Sequence, residues 1–201
     1  MGTLQVGGTT LATKNSSTGK VDLHDSNVIL PTGSVLQVVG NTLKNTDHSH
    51  TDTFTDWVAI TNFYVDITPK QTNSDFFISL TTSIGGNANS EGAVKLGRGY
   101  DSSGGTTFTY TDILGDASGS ASRTLYGSYD INDDFLITTS THIWDNDVSY
   151  ISGGKFRYQV YWRNPNPSNA SGDLFLNRAN DNDRAENLTG VSSIIVQEIA
   201  G

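Results

Sequence analysis

At 201 residues the chain is sized for one compact domain plus a small extra piece, and its formal charge of −9 leaves no basic stripe for nucleic-acid phosphates or anionic lipid. It has no cysteine, which excludes disulfides, thiol catalysis and thiolate zinc sites, and no apolar run of about 18 residues that would insert in a bilayer. Charged residues are only 16%, against about 25% in an average soluble chain, and Thr, Ser and Asn fill the deficit, as suits strands and turns.

Residues 1–32 are rich in Gly, Thr and Ser with only short apolar alternations, and predict an extended N-terminal arm ahead of the domain. The start lacks the positive charge and apolar stretch of a secretory signal, so the chain is expected to begin soluble in the cytoplasm. Short strand pairs are marginal alone, so the arm is expected to dock on the rest of the chain or on another subunit.

Residues 33–201 predict a β-sandwich domain. Strands are expected at 33–39, at 56–67 in one or two pieces, and at 74–84, where Phe76, Ile78, Leu80 and Ile84 share one parity. Further strands are expected at 91–100, 106–114 and 134–144. The clearest is 155–163, with Phe156, Tyr158, Val160 and Trp162 on one face and Lys155, Arg157, Gln159 and Arg163 on the other. Strands at 172–179 and 191–200 complete the set. Clusters such as GGNANSEG, GDASGSAS and NPNPSNASGD supply the turns, and no helical period competes, so the fold class is all-β, an antiparallel sandwich.

Catalytic signals are weak. A catalytic nucleophile requires a base, for which there are only four histidines, His24, His48, His50 and His142, and no G-x-S-x-G elbow positions a serine. Asp130, Asp133, Asp134, Asp145 and Asp147 could supply a glycosidase pair, but acid-rich loops give such pairs by chance, and solvated turn residues are the reading preferred for them. No phosphate loop is present. Asp181, Asp183 and Glu186 offer oxygen ligands for calcium without the spacing of an EF-hand. The sequons at Asn15, Asn169 and Asn187 matter only in a secreted protein.

His48-Ser49-His50 is the sharpest small motif. In a strand, positions i and i+2 share a side, so the two imidazoles could hold a metal, and three chains about an axis would offer six nitrogens. The alternative is a polar loop. Trp57, Trp144 and Trp162, with Tyr100, Tyr110, Tyr126, Tyr129 and Tyr150, could stack sugars, whereas Trp162 lies on the apolar parity and is expected in the core. No other cofactor is expected.

The stretch GGKFRYQVYWRNP…GDLFLNRANDNDRAENLTGVSSIIVQEIAG resembles the end of a family of phage tail-fibre and virion structural proteins frequent in marine phages. The matching positions are Leu176, Asn177, Arg178, Ser192, Ser193, Glu198, Ile199 and Ala200. Upstream, LPTGSVLQVV is similar to the family's opening strand after a Pro-Gly turn, and Arg98-Gly99 to an R-G turn. The resemblance covers about residues 30–201. It implies a trimeric, jelly-roll-like β-sandwich located in the virion, as a tail fibre, fibre tip or capsid decoration, with other virion proteins as partners of the arm and a host glycan or receptor as a possible contact. The competing classes are a carbohydrate-binding module and, more remotely, a glycan-cleaving enzyme. A non-enzymatic role is expected.

Overall fold

The computed structural model describes residues 3–6, 9–14, 17, 21–23, 30–50, 56–87, 90–115, 123–131, 135–146, 148, 152–165, 172–180 and 188–201. Every named element is a strand: β1 (Thr3–Val6), β2 (Thr9–Lys14), β3 (Val21–Leu23), β4 (Val35–Leu43), β5 (Ser49–His50), β6 (Val58–Ile67), β7 (Asp75–Gly86), β8 (Ser90–Asp101), β9 (Thr109–Ile113), β10 (Tyr126–Ile131), β11 (Leu136–Asp145), β12 (Lys155–Arg163), β13 (Leu174–Leu176) and β14 (Ser192–Ile199). Within the first 32 residues β1, β2 and β3 pair antiparallel with one another into a small sheet, where the composition alone suggested only an extended segment.

The other strands form two antiparallel sheets. In the five-stranded one, β12 lies between β6 and β8, and the far edge of β8 pairs with β10 along Ser90–Val94 and with β9 along Leu96–Tyr100. In the six-stranded one, β11 runs along one edge of β7, while β14 and β13 share the other edge and carry β4 and β5 outside them. The inward parities of both sheets meet in one core. Phe76, Ile78, Leu80, Ile194 and Val196 face it from one sheet, with Phe63, Val65, Leu96, Phe156, Tyr158, Val160 and Trp162 from the other. Trp162 is therefore a core residue, as its parity predicts.

Strand β6 is a single strand broken by a bulge, where Asn62 takes φ 59° and the register to β12 shifts. The bulge frees carbonyls that Gln159 and Asn41 satisfy: the Gln159 amide donates to Ile60 and Phe63 at 2.9 and 3.2 Å, and Asn41 donates to Asn62 and Tyr64 at 2.7 and 3.0 Å. The turn before β4 is closed by Ser34 N–H donating to Pro31 at 3.0 Å, with Gly33 at φ 86°, the left-handed backbone that a type II turn requires. Arg98 and Gly99 lie inside β8, not in a turn.

The point where β14 gives way to β13 along β7 is held by Asn177. Its φ of 64° is tolerated by asparagine better than by most residues. Its N–H donates to Ser83 at 2.7 Å, its side-chain amide donates to Leu43 and Asn45 at 2.9 and 3.1 Å, and its side-chain oxygen accepts from Ser192 at 2.7 Å. The Ser192 hydroxyl in turn accepts the Ser83 N–H at 3.0 Å. Arg178 follows, donating to the Thr46 carbonyl at 3.0 Å and lying 3.9 Å over the Phe175 ring. Glu198 makes a second hub at the far end of β14. Fully buried, its carboxylate accepts from Ser74 (2.6 Å), the Lys70 and Gln71 N–H groups (2.7 and 3.2 Å) and Gln37 (2.5 Å).

Candidate functional site

Of the acids considered as a hydrolytic pair, Asp145 is not a solvated turn residue. It closes β11 at 8% exposure, accepting from Arg98 at 2.6 Å and from the buried Tyr158 hydroxyl at 2.9 Å. A carboxylate held by a guanidinium and a phenol in the sandwich interior is a fixed structural charge, with its lone pairs engaged away from solvent. Asp130 lies in β10, and Asp133, Asp134 and Asp147 fall outside the described residues, as do Asp181, Asp183, Glu186, His24, Tyr150 and the sequon asparagines.

His48 is half-buried and its carbonyl accepts the Leu176 N–H at 2.9 Å, and Ser49–His50 forms β5, with His50 opposite Leu174. The segment is thus tied into the sheet by pairing, a two-residue strand that no alternation could reveal. No group of three His, Cys, Asp or Glu side chains able to hold a metal occurs among the described residues.

The two sheets present contrasting outer faces. On the five-stranded sheet, the outward residues of β12, β8, β6 and β9, with Trp57 and Phe108 just ahead of β6 and β9, build a layer of cations and rings. Lys95 donates to Asp112 at 2.7 Å and sits 5.2 and 4.9 Å from the Trp57 and Tyr161 rings. Arg157 makes a bidentate pair with Asp66 at 2.6 and 2.8 Å, between Tyr64 at 3.8 Å and Phe108 at 4.6 Å. Arg163 lies 4.7 Å over Trp57. The rings lie close to the sheet because β8 has glycines beneath them: a Cβ on Gly99 would be 2.7 Å from Tyr110 Cε1, and one on Gly97 would be 2.8 Å from Tyr161 Cε2.

This layer perturbs its own groups. Burial, reinforced by the charges of Tyr110 and Asp112, pushes the Tyr161 phenol up to about 12. Burial also raises Tyr110, against the opposing pull of Arg157. The hydrogen bonds that Arg157 donates to Asp66 hold its guanidinium protonated more firmly than usual. Lys95, polar and outward in parity, is consequently buried at 7% exposure. Tyr110 remains the accessible ring, at 39%.

The outer face of the six-stranded sheet carries no charge along its central paired rows, with Asp75, opposite Ile199, as a charge at one end of β7. One row runs Val38, Gln197, Phe77, Trp144, and the next Gly40, Ile195, Ser79, His142. The hydroxyls beyond pair with each other across strands, Thr81 with Ser140 and Ser83 with Thr138, both at 2.8 Å, and Ser79 meets His142 Nδ1 at 3.1 Å. Phe77 stacks on His142 with centroids 5.7 Å apart. The row positions were legible in sequence as the outward parity of each strand; their side-by-side placement follows only from the register. Among the other aromatics, Tyr100 packs on Phe156 and the Tyr126 hydroxyl bonds Thr82, burial raising that phenol.

Compared with known families and curated proteins, the chain matches no family model and no curated protein.

Proposed function

We propose that this chain is a structural protein of the bacteriophage particle, a trimeric surface appendage of jelly-roll-like build that docks through residues 1–32 and serves as tail fibre, fibre tip or capsid decoration. The observation that carries the reading is the fate of its most distinctive sequence. Leu176, Asn177, Arg178, Ser192 and Glu198, which bear the family resemblance, are all engaged in packing or in bonds that join strands. The motif therefore serves a scaffold. A chain lacking residues 1–32 is expected to fold as the sandwich and to be missing from particles; equal incorporation of the truncated chain contradicts the docking role.

One observation favours a second reading, a carbohydrate-binding module: Tyr110 lies exposed over the glycine floor of β8, as a ring that could stack on a sugar. Binding on a glycan array that is lost in Tyr110→Ala supports it. A metal on His48 and His50, if bound, takes its remaining ligands from other copies, and elemental analysis of the purified protein decides: about one ion per three chains supports a site on the trimer axis, and metal-free trimers reject it.

A further inference from the structure

We propose that the sandwich is a link built to carry tension along its strands, from the arm at one end to the opposite end, where the longest connections lie; this rests on the reading that the arm docks. The register fixes the two ends. The chain enters at Thr32–Ser34, where Gly33 N–H donates to Ala200 at 2.7 Å and Ala200 N–H donates to Ser34 at 2.8 Å. Val35 lies opposite Ile199 and Ile199 opposite Asp75, so the entry, the close of β14 and the start of β7 share this near end. At the far end Leu43 lies opposite Ser192, Gly85 opposite Leu136, Gly86 opposite Leu174 and Ala93 opposite Arg163. The segments 44–57, 164–173 and 177–191 therefore join strands at the far end, away from the arm, and binding contacts concentrate on such connections.

A pull between these ends meets β4 in shear. Strand β4 runs from the near end to the far end and β14 returns antiparallel to it, so a pull that draws Val35 away from the far end acts along the strands, across ladder bonds that lie perpendicular to them. All eight paired positions, from Leu43 and Ser192 to Val35 and Ile199, then share the load. Beyond β14 the pull passes through seven paired positions to β7 and through ten, in unbroken register, to β11. Strand β4 is pinned to the other sheet as well. Gln37 donates to the Thr68 carbonyl at 2.7 Å and to Glu198, and Asn41 donates to the Asn62 and Tyr64 carbonyls of β6. Gln37, Asn41 and the buried Glu198 thus share a purpose, since each ties the strand that continues from the arm to a neighbour. Pulled sideways at the near end, by contrast, β4 peels from Val35 onward and its pairs break one after another.

Single-molecule force spectroscopy on the full chain tests this with thiol handles, since the chain has no cysteine of its own. Three handle pairs are compared at one pulling speed, each variant checked for fold by circular dichroism. Thr32→Cys with Phe135→Cys pulls end to end, Phe135 being 59% exposed just ahead of β11. Thr32→Cys with Leu188→Cys pulls β4 directly against β14, Leu188 being 71% exposed ahead of β14. Thr32→Cys with Thr72→Cys, both exposed at the near end, peels β4. Because eight pairs share the load in one direction and one pair at a time bears it in the other, the two end-to-end pairs are expected to rupture at a force at least about twofold above the peeling pair. The lengths released when each span is fully freed, roughly 300 Å for 32–135 and roughly 130 Å for 32–72, identify the intended pull. If Phe135→Cys fails to fold, the Leu188 pair decides. Equal forces, or a lower one end to end, overturn the tension path and leave docking through the arm to the truncation test. A truncated chain that incorporates equally into particles overturns the docking reading, and the proposal with it as a statement about function, whatever the forces measured on the purified sandwich.

Discussion

Replacing Asn177 separates the two jobs it performs. Asn177→Gly keeps the left-handed backbone and removes the side chain, losing the bonds to Leu43, Asn45 and Ser192. At about 1 kcal/mol each, these total about 3 kcal/mol. Asn177→Ala loses the same bonds and adds roughly 1 kcal/mol for a Cβ at φ 64°. Asn177→Asp keeps the acceptor for Ser192 but turns a carboxylate oxygen towards two carbonyls at a fully buried site, for a cost of about 4 kcal/mol or more. Against a typical domain stability of about 5–15 kcal/mol, each change is large. Urea unfolding at neutral pH should rank the variants wild type, Gly, Ala, Asp from most to least stable. Gly and Ala variants that unfold together, within about 1 kcal/mol of wild type, would refute the assignment of Asn177 as the joint between β13 and β14.

Asp145→Ala, which leaves Arg98 and Tyr158 facing an emptied position, should cost about 3–5 kcal/mol, while adding Arg98→Met in that background should cost little more; additive losses in thermal melts would show the pair to be independent. Because the Tyr161 phenol is raised in the fold, the unfolded chain releases its proton first, so stability should hold below pH about 10 and fall as pH rises towards about 12. Tyr161→Phe should make that alkaline limb shallower, with the raised Tyr110 and Tyr126 phenols supplying the remainder, and an unchanged limb assigns the whole loss to other groups. Gly99→Val forces Tyr110 and Phe108 off the sheet and should lower the melting temperature while quickening iodination of Tyr110; a variant as stable as wild type denies the floor its role. No release of reducing ends from capsular polysaccharide is expected, and release abolished by Asp133→Asn or Asp147→Asn would establish an enzyme.

What the sequence made legible was parity. The strand Lys155–Arg163 and the inward set of β7 read directly, because each alternates cleanly between core and exterior. Parity does not tell what lies across an outward residue, so Lys95 and Gln159, polar and outward, are buried by rings and by the β6 bulge. Strand β10 escaped notice because Gly127, Ser128 and Asp130 interrupt any alternation; it exists by pairing with β8. Asp145 read as a loop acid because its partner Arg98 is distant in sequence. Asn177 and Glu198 stood out as a pattern, but their meaning as hubs required the strands they join.

The most direct measurement is a map of the intact particle by electron microscopy, at a resolution that places the sandwich. The account predicts the sandwich in groups of three on the particle surface, with residues 1–32 against a neighbouring protein. Purified particles that lack the chain altogether would contradict it.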